Sequence, residues 1–246
     1  MVRKILDFLY NETQSLNQAA FLLGLFAFFS QILAFLRDRL LAHVFGASES
    51  LDIYYAAFRI PDLIFVTAAS IVSLSVLVPF IISEEGKGRE ALREFIDEIF
   101  SFFTILIILI AAVSFMLMPA IAPVIFKGFS PQSLSEVVFL SRLLLLSPII
   151  LGFSNLFGSL TQAYNRFIIY ALAPLLYNAG IILGIILFGK KIGILGVAIG
   201  VVIGAGLHAL IQVPFVYGIG LFPRFTTHFD LARLSKVMRI SLPRTL

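Results

Sequence analysis

Arg59, Pro61 and Asp62 stand within four positions in "YYAAFRIPDLIFVTAAS" (54–70), a segment otherwise almost wholly apolar. A charge at membrane depth costs on the order of 3 kcal/mol, so such residues face a protein interior or a wet cavity. Read as one helix from Asp52, the residues Asp52, Arg59, Asp62, Ser70 and Ser73 fall along one edge, and Tyr55 joins them. Pro61 removes a backbone hydrogen bond and bends the helix. Arg59 and Asp62, three apart, are spaced to pair across the bend. Two readings follow: an Arg–Asp staple that locks helix packing, or a cavity-lining site.

A second set precedes it. "SQILAFLRDRL" places Ser30 seven residues before Arg37 and Gln31 seven before Asp38, so each pair returns to one helical face. Arg39 lies near the outer surface and snorkels. Neighbouring helices then bring Arg37, Asp38, Arg59 and Asp62 toward one region. Guanidinium groups in a wet cavity suit a phosphate or carboxylate ligand, because the planar fork makes two charge-assisted bonds at once.

The elements that position these groups are set by hydropathy. The chain has 246 residues, is 60% hydrophobic and only 13% charged, about half the ~25% of an ordinary soluble domain. Six stretches without Asp, Glu, Lys or Arg reach the length a bilayer core demands, about 20 residues as a helix: 13–36, 63–83, 99–126, 143–165, 167–189 and 192–223. They show no two-residue alternation, so they read as helices and not barrel strands. The first lacks a small-residue cleavage pattern and is kept as a span.

Basic residues set the orientation. With the N-terminus in the cytoplasm, the inner segments hold Arg3, Lys4, Lys87, Arg89, Arg93, Arg166, Arg224, Arg233, Lys236 and Arg239. The outer segments hold only Arg39, Lys127, Lys190 and Lys191. The expectation is an N-in bundle of six spans. The net charge of +4 belongs to these loops and not to nucleic-acid binding.

"SEEGKGREALREFIDE" (83–98) reads as a solvated cytoplasmic connector, so Glu84–Glu85 and Asp97–Glu98 are not catalytic dyads. In "FDLARLSKVMRI", Leu231, Leu234, Val237 and Met238 share one face and Arg233, Lys236 and Arg239 another, the pattern of a basic helix on an anionic leaflet. The organisation is a lobe over 1–223, an amphipathic connector over 224–240, and over 241–246 the entry to a seventh span. Such a chain is a fragment or a half-length protein.

Gly196, Gly200 and Gly204 recur every fourth residue with His208 and Gln212, a seam that lets another helix approach. His208 reads as a packing hydrogen-bonder, and Asn155, Asn178 and Gln162 as polar glue. Pro119, Pro148 and Pro174 mark kinks. There is no cysteine and the three histidines have no metal-ligand spacing, so no metal or cofactor is called for. No HExxH, phosphate-cradling loop or nucleophile elbow appears, so the chain is not read as an enzyme.

"LRDRLLAHVFGASESLDIYYAAFRIPDL" (36–63) closely resembles the signature of the MurJ (MviN) family in the multidrug/oligosaccharidyl-lipid/polysaccharide exporter superfamily, and "YNRF" (164–167) and "APLLYN" (173–178) support it. The resemblance implies an all-α, polytopic fold of which this chain is one six-helix lobe, the other lobe or a second copy completing a central cavity. It implies a flippase that moves the pyrophosphate-linked peptidoglycan precursor lipid II between leaflets by alternating access. Arg37 and Asp38 carry over as cavity residues, Arg59 and Asp52 as charged groups of the second helix. The chain departs from the family at Gln31, where an arginine is usual, at Phe65–Val66, where a basic pair is usual, and at Ser70–Ile71, where Glu–Gly is usual. The rival readings are a polysaccharide-lipid or multidrug exporter, and a non-transporting half-protein that scaffolds a partner.

Overall fold

Charge does not stop the first helix; glycine does. In the computed structural model, which describes residues 15–71 and 74–241, α1 runs over Leu16–Phe45. Ser15 caps its start by accepting from the Gln18 amide, and Gly46, at φ 61°, closes it with its N–H on the Ala42 carbonyl. A span bounded by its charges stops at residue 36, so the arginines at 37 and 39 fall inside the helix and not in a loop.

Helix α2 spans Glu49–Ile71 with Pro61 inside it, and α3 spans Leu74–Glu85. The apolar run 63–83 is therefore shared between two helices. Helix α4, Arg89–Ile125, is 37 residues long, about 55 Å at 1.5 Å per residue. That exceeds an apolar core of about 30 Å, and its first turns, with Leu92, Phe95 and Ile96 buried, pack into the loop end of the bundle. Helices α5 (Pro131–Leu144) and α6 (Leu146–Ala163) meet end to end at Leu145, just before Pro148, which cannot donate to the Leu144 carbonyl. Helix α7 (Phe167–Gly184) continues as a π segment, Ile185–Gly189. Helix α8 (Ile194–Leu210) gives way to α9 (Val213–Gly218), with Pro214 in its first turn. A segment without regular structure leads to α10, Leu231–Ser241.

Among the described residues there is no strand. Five stretches, Asn17–Phe45, Arg89–Ile125, Pro131–Ala163, Phe167–Ile192 and Ile194–Gly218, are long and apolar enough to cross a membrane; α2 and α3 share the sixth apolar run. The chain is an all-α, multi-pass membrane protein.

Two clusters of buried side chains hold the bundle. One, with Leu77, Phe95, Phe103, Leu160 and Phe215, joins α3, α4, α6 and α9. The other, with Leu41, Tyr54, Leu140, Ile181 and Val201, joins α1, α2, α5, α7 and α8. Helices α7 and α8 approach most closely. A Cβ placed on Gly180 would lie 2.3 Å from the Gly204 Cα, and one on Gly200 would lie 2.7 Å from the Gly184 Cα. Contact of that kind exists only because neither side carries a side chain.

Helix α10 departs from the sequence expectation. Leu234 and Val237 are 4% and 2% exposed and belong to the first cluster. The centre of its apolar face packs on the bundle, while Leu231 at its start stays exposed. Amphipathic periodicity states that a face is covered, not by what.

Candidate substrate cavity

Helices α1, α2 and α7 enclose an open cavity of about 540 Å³. Arg37, Asp38 and Leu41 reach it from α1, Tyr54, Tyr55, Phe58, Arg59 and Asp62 from α2, and Tyr177 and Ile181 from α7. Arg37 is aimed by its partners. Its Nε donates to Asp38 Oδ1 at 2.8 Å and its Nη1 to Asn178 Oδ1 at 3.0 Å. Asn178 in turn donates to Ser30 Oγ at 3.3 Å and to the Pro174 carbonyl at 3.1 Å. One face of the guanidinium is thus held while the group borders the opening.

Arg59 and Asp62 both line this cavity, yet among the described residues no ion pair joins them. Of the two readings, the Arg–Asp staple is not formed among the described residues. Both side chains are exposed, and in an open cavity a surface-like pair gains little against its loss of freedom. Asp62 also borders a second, smaller cavity of about 120 Å³ with Ser147, Pro148 and Tyr177.

The other expected residues lie elsewhere. Asp52 is exposed and is not among the cavity residues. It lies on the Arg59 side of α2 but about 10 Å along the axis, in the first turn, where a carboxylate favours the helix dipole. Gln31, exposed on α1, stands about 10 Å from Asp38 by the same arithmetic. Ser70 belongs to α2, but its side chain lies outside the described residues, as does all of Ser73. Gly196, Gly200 and Gly204 line the α7–α8 contact, and Gly204 abuts the Tyr177 carbonyl, so the seam sets the position of the α7 wall.

Periodicity alone did not mark Tyr54, Phe58, Tyr177 and Ile181 as cavity residues. A signal was present for Tyr177, which precedes Asn178 in "APLLYN". His208 lies within the fold and not on the cavity: its Nδ1 is 2.6 Å from Ser154 Oγ, to which Gln212 Nε2 also donates at 2.6 Å. Ser154 and Gln212 are fully buried, so this contact packs α6 against α8.

The opposite surprise is at the loop end of the bundle. Glu84 and Glu98, read as solvated, are 4% and 2% exposed. Arg233 of α10 donates to Glu98 Oε2 through Nε at 2.8 Å and Nη2 at 2.7 Å, and Lys87 lies 2.6 Å from Glu84. Asp97 accepts from the Arg224 amide at 2.7 Å and Ser101 from the Thr226 amide at 2.8 Å. Arg89 donates to the Tyr164 hydroxyl and the Ile219 carbonyl, and Arg93 to the Gly220 carbonyl. Burial, followed by the hydrogen bond to Glu85, pushes the Tyr164 hydroxyl up to about 12. The segment from 219 to 233 is stitched to α4 and, through Arg233 and Glu84, to α3.

The described chain is a multi-pass helix bundle with a guanidinium-lined cavity between α1, α2 and α7. A solved lipid II flippase MurJ in an inward closed conformation superposes with a TM-score of 0.74 at 23% identity, over 92% of this chain and 47% of that one. A mutant MATE protein superposes with 0.71 at 16% identity, over 97% and 54%. The family model described as "Lipid II flippase MurJ" matches residues 41–246, and the chain belongs to that family. Probable lipid II flippases MurJ from Buchnera aphidicola subsp. Schizaphis graminum and subsp. Baizongia pistaciae are 30% and 31% identical, over 91% and 82% of this chain. The chain spans 44% and 41% of their length.

Proposed function

We propose that this lobe serves a lipid II flippase, with Arg37 and Arg59 receiving the pyrophosphate of an undecaprenyl-linked precursor as it passes between leaflets. The observation that carries the reading is the cavity itself. Arg37 is aimed into it by Asp38 and Asn178, and Arg59 lines it with no carboxylate partner among the described residues. An unengaged guanidinium fork facing a wet opening fits a doubly charged phosphate. Tyr54, Tyr55 and Tyr177 supply aromatic walls. The names of the relatives point the same way.

The remaining organisation is part of the same proposal. The described residues up to 223 form one lobe and 224–240 connect it, while the expected start of a further span over 241–246 lies outside the described residues beyond Ser241; the other half of the cavity comes from a second lobe or a second copy. The membrane is the bacterial inner membrane, with the N-terminus inside, in keeping with the basic loops gathered at the end where Arg89, Arg93 and Arg233 are engaged.

The test is binding and flipping of a polyprenyl pyrophosphate by the membrane-embedded protein, with a cationic dye as the contrasting cargo. Arg59→Lys keeps the charge and loses the fork. It is expected to weaken pyrophosphate binding about tenfold, the worth of one charge-assisted bond, and Arg59→Ala more. Unchanged affinity in both variants, or transport of the dye and not of the pyrophosphate lipid, refutes the reading.

A further inference from the structure

A proline inside a helix strands the carbonyl four residues before it, because it has no N–H to donate. In α2 the carbonyl stranded by Pro61 is that of Ala57; in α4 the one stranded by Pro119 is that of Phe115. Two consecutive residues of α5 reach these two carbonyls. Ser141 Oγ donates to the Ala57 carbonyl at 3.0 Å, and Arg142 Nε donates to the Phe115 carbonyl at 3.0 Å. The Arg142 guanidinium also lies 4.4 Å from the centre of the Phe115 ring. Adjacent positions on a helix point about 100° apart, so one turn of α5 serves two different neighbours.

Ser141 and Ala57 are both 0% exposed. No solvent is at hand to replace the hydroxyl, and a buried carbonyl without a donor is costly. Ala57 is also the residue next to Phe58 and Arg59, both in the cavity wall, and Asp62 follows Pro61. The stranded carbonyl therefore sits in the middle of the run that carries the site.

We propose that Ser141 is a positioning residue for the cavity. By taking up the carbonyl freed by Pro61, it fixes the course of α2 and so the direction in which Arg59 is presented. Arg142 does the same for α4, so that α5 registers both proline-broken helices at one height. This assigns a role to an arginine at membrane depth that does not face the cavity. The proposal rests on the pyrophosphate reading only for its consequence on binding.

The test uses Pro61→Ala, which restores an N–H at 61 within reach of the Ala57 carbonyl and makes the Ser141 hydroxyl dispensable. In the intact, cysteine-free protein, spin labels are placed at Phe28→Cys on α1 and Leu63→Cys just beyond Pro61; both positions are well exposed, at 63% and 63%. Ser141→Ala is expected to broaden the distance distribution between them and to weaken binding of a short-chain polyprenyl pyrophosphate about tenfold, the worth of one lost buried hydrogen bond. In the Pro61→Ala background the same substitution is expected to change neither quantity. Equal effects of Ser141→Ala in both backgrounds overturn the proposal, as does a loss of thermal stability with distances and affinity unmoved. If the distances follow the expected pattern while the unmodified protein binds no pyrophosphate, the positioning of α2 by Ser141 stands and the substrate reading falls.

Discussion

Replacing Gly204 by alanine is the sharpest probe of how the cavity wall is placed. The added methyl would lie 2.4 Å from the Tyr177 carbonyl oxygen, about 1 Å short of ordinary contact, and 3.2 Å from the Tyr177 carbonyl carbon. Backbone cannot swing aside as a side chain can. Helices α7 and α8 must part by about that distance, and the Gly180–Gly204 and Gly184–Gly200 contacts open with them. Overpacking of this kind costs about 1–3 kcal/mol, set against a gain of up to about 1 kcal/mol in helix propensity. Gly206, on the same helix, has nothing within 4 Å of the same methyl, so Gly206→Ala keeps only the gain. Thermal unfolding in detergent should place Gly204→Ala several degrees below Gly206→Ala, at about 2–4 °C per kcal/mol for a chain of this size. Because Tyr177 lines the cavity, Gly204→Ala should also weaken pyrophosphate binding while Gly206→Ala should not. A Gly204→Ala protein that melts at or above Gly206→Ala refutes the reasoning, since the close approach would then not be limiting.

Two further outcomes follow from the loop end. Arg233→Ala leaves Glu98 buried without its cation, a loss of about 3–5 kcal/mol by comparison with other broken buried pairs. It should release α10, so that a thiol introduced at Val237, 2% exposed, reacts quickly only in the Arg233→Ala protein; equal reaction rates would mean that α10 is held by its apolar face alone. For orientation, a cysteine at Ser130 should react with an impermeant reagent added outside and one at Gly86 should not, and the reverse result inverts the topology.

The class of fold was legible because apolar runs longer than a bilayer is thick have few other uses. Arg37, Asp38, Arg59 and Asp62 were legible for a related reason: charge at that depth needs a wet opening, and α1 and α2 share one. Asp52 and Gln31 show what periodicity omits. It gives the angle around an axis, and both residues lie at a suitable angle but about 10 Å away in height. Glu84, Glu98 and Arg233 show a second omission. A run of mixed charge reads as solvated unless its counter-charges are known to return, and the one that meets Glu98 comes 135 positions later. The Ser141–Ala57 bond was invisible for the same reason: the proline names the stranded carbonyl, but only the packed bundle names its donor.

The stitched segment before α10 has one more consequence. An untied coil of about a dozen residues spans roughly 20 Å on average. Its tethered helix would sample a wide volume at an effective concentration in the millimolar range. Leu234 and Val237 would then associate and dissociate as a weak pair of apolar contacts. Here the Ile219 and Gly220 carbonyls and the Arg224, Thr226 and Asp230 amides are each already bound to α4. The tether has little slack, so an α10 that loses its Arg233 anchor on Glu98 opens about Asp230, the last bound residue before it, and not about Ile219. Its search for its seat is confined to the short radius beyond that point.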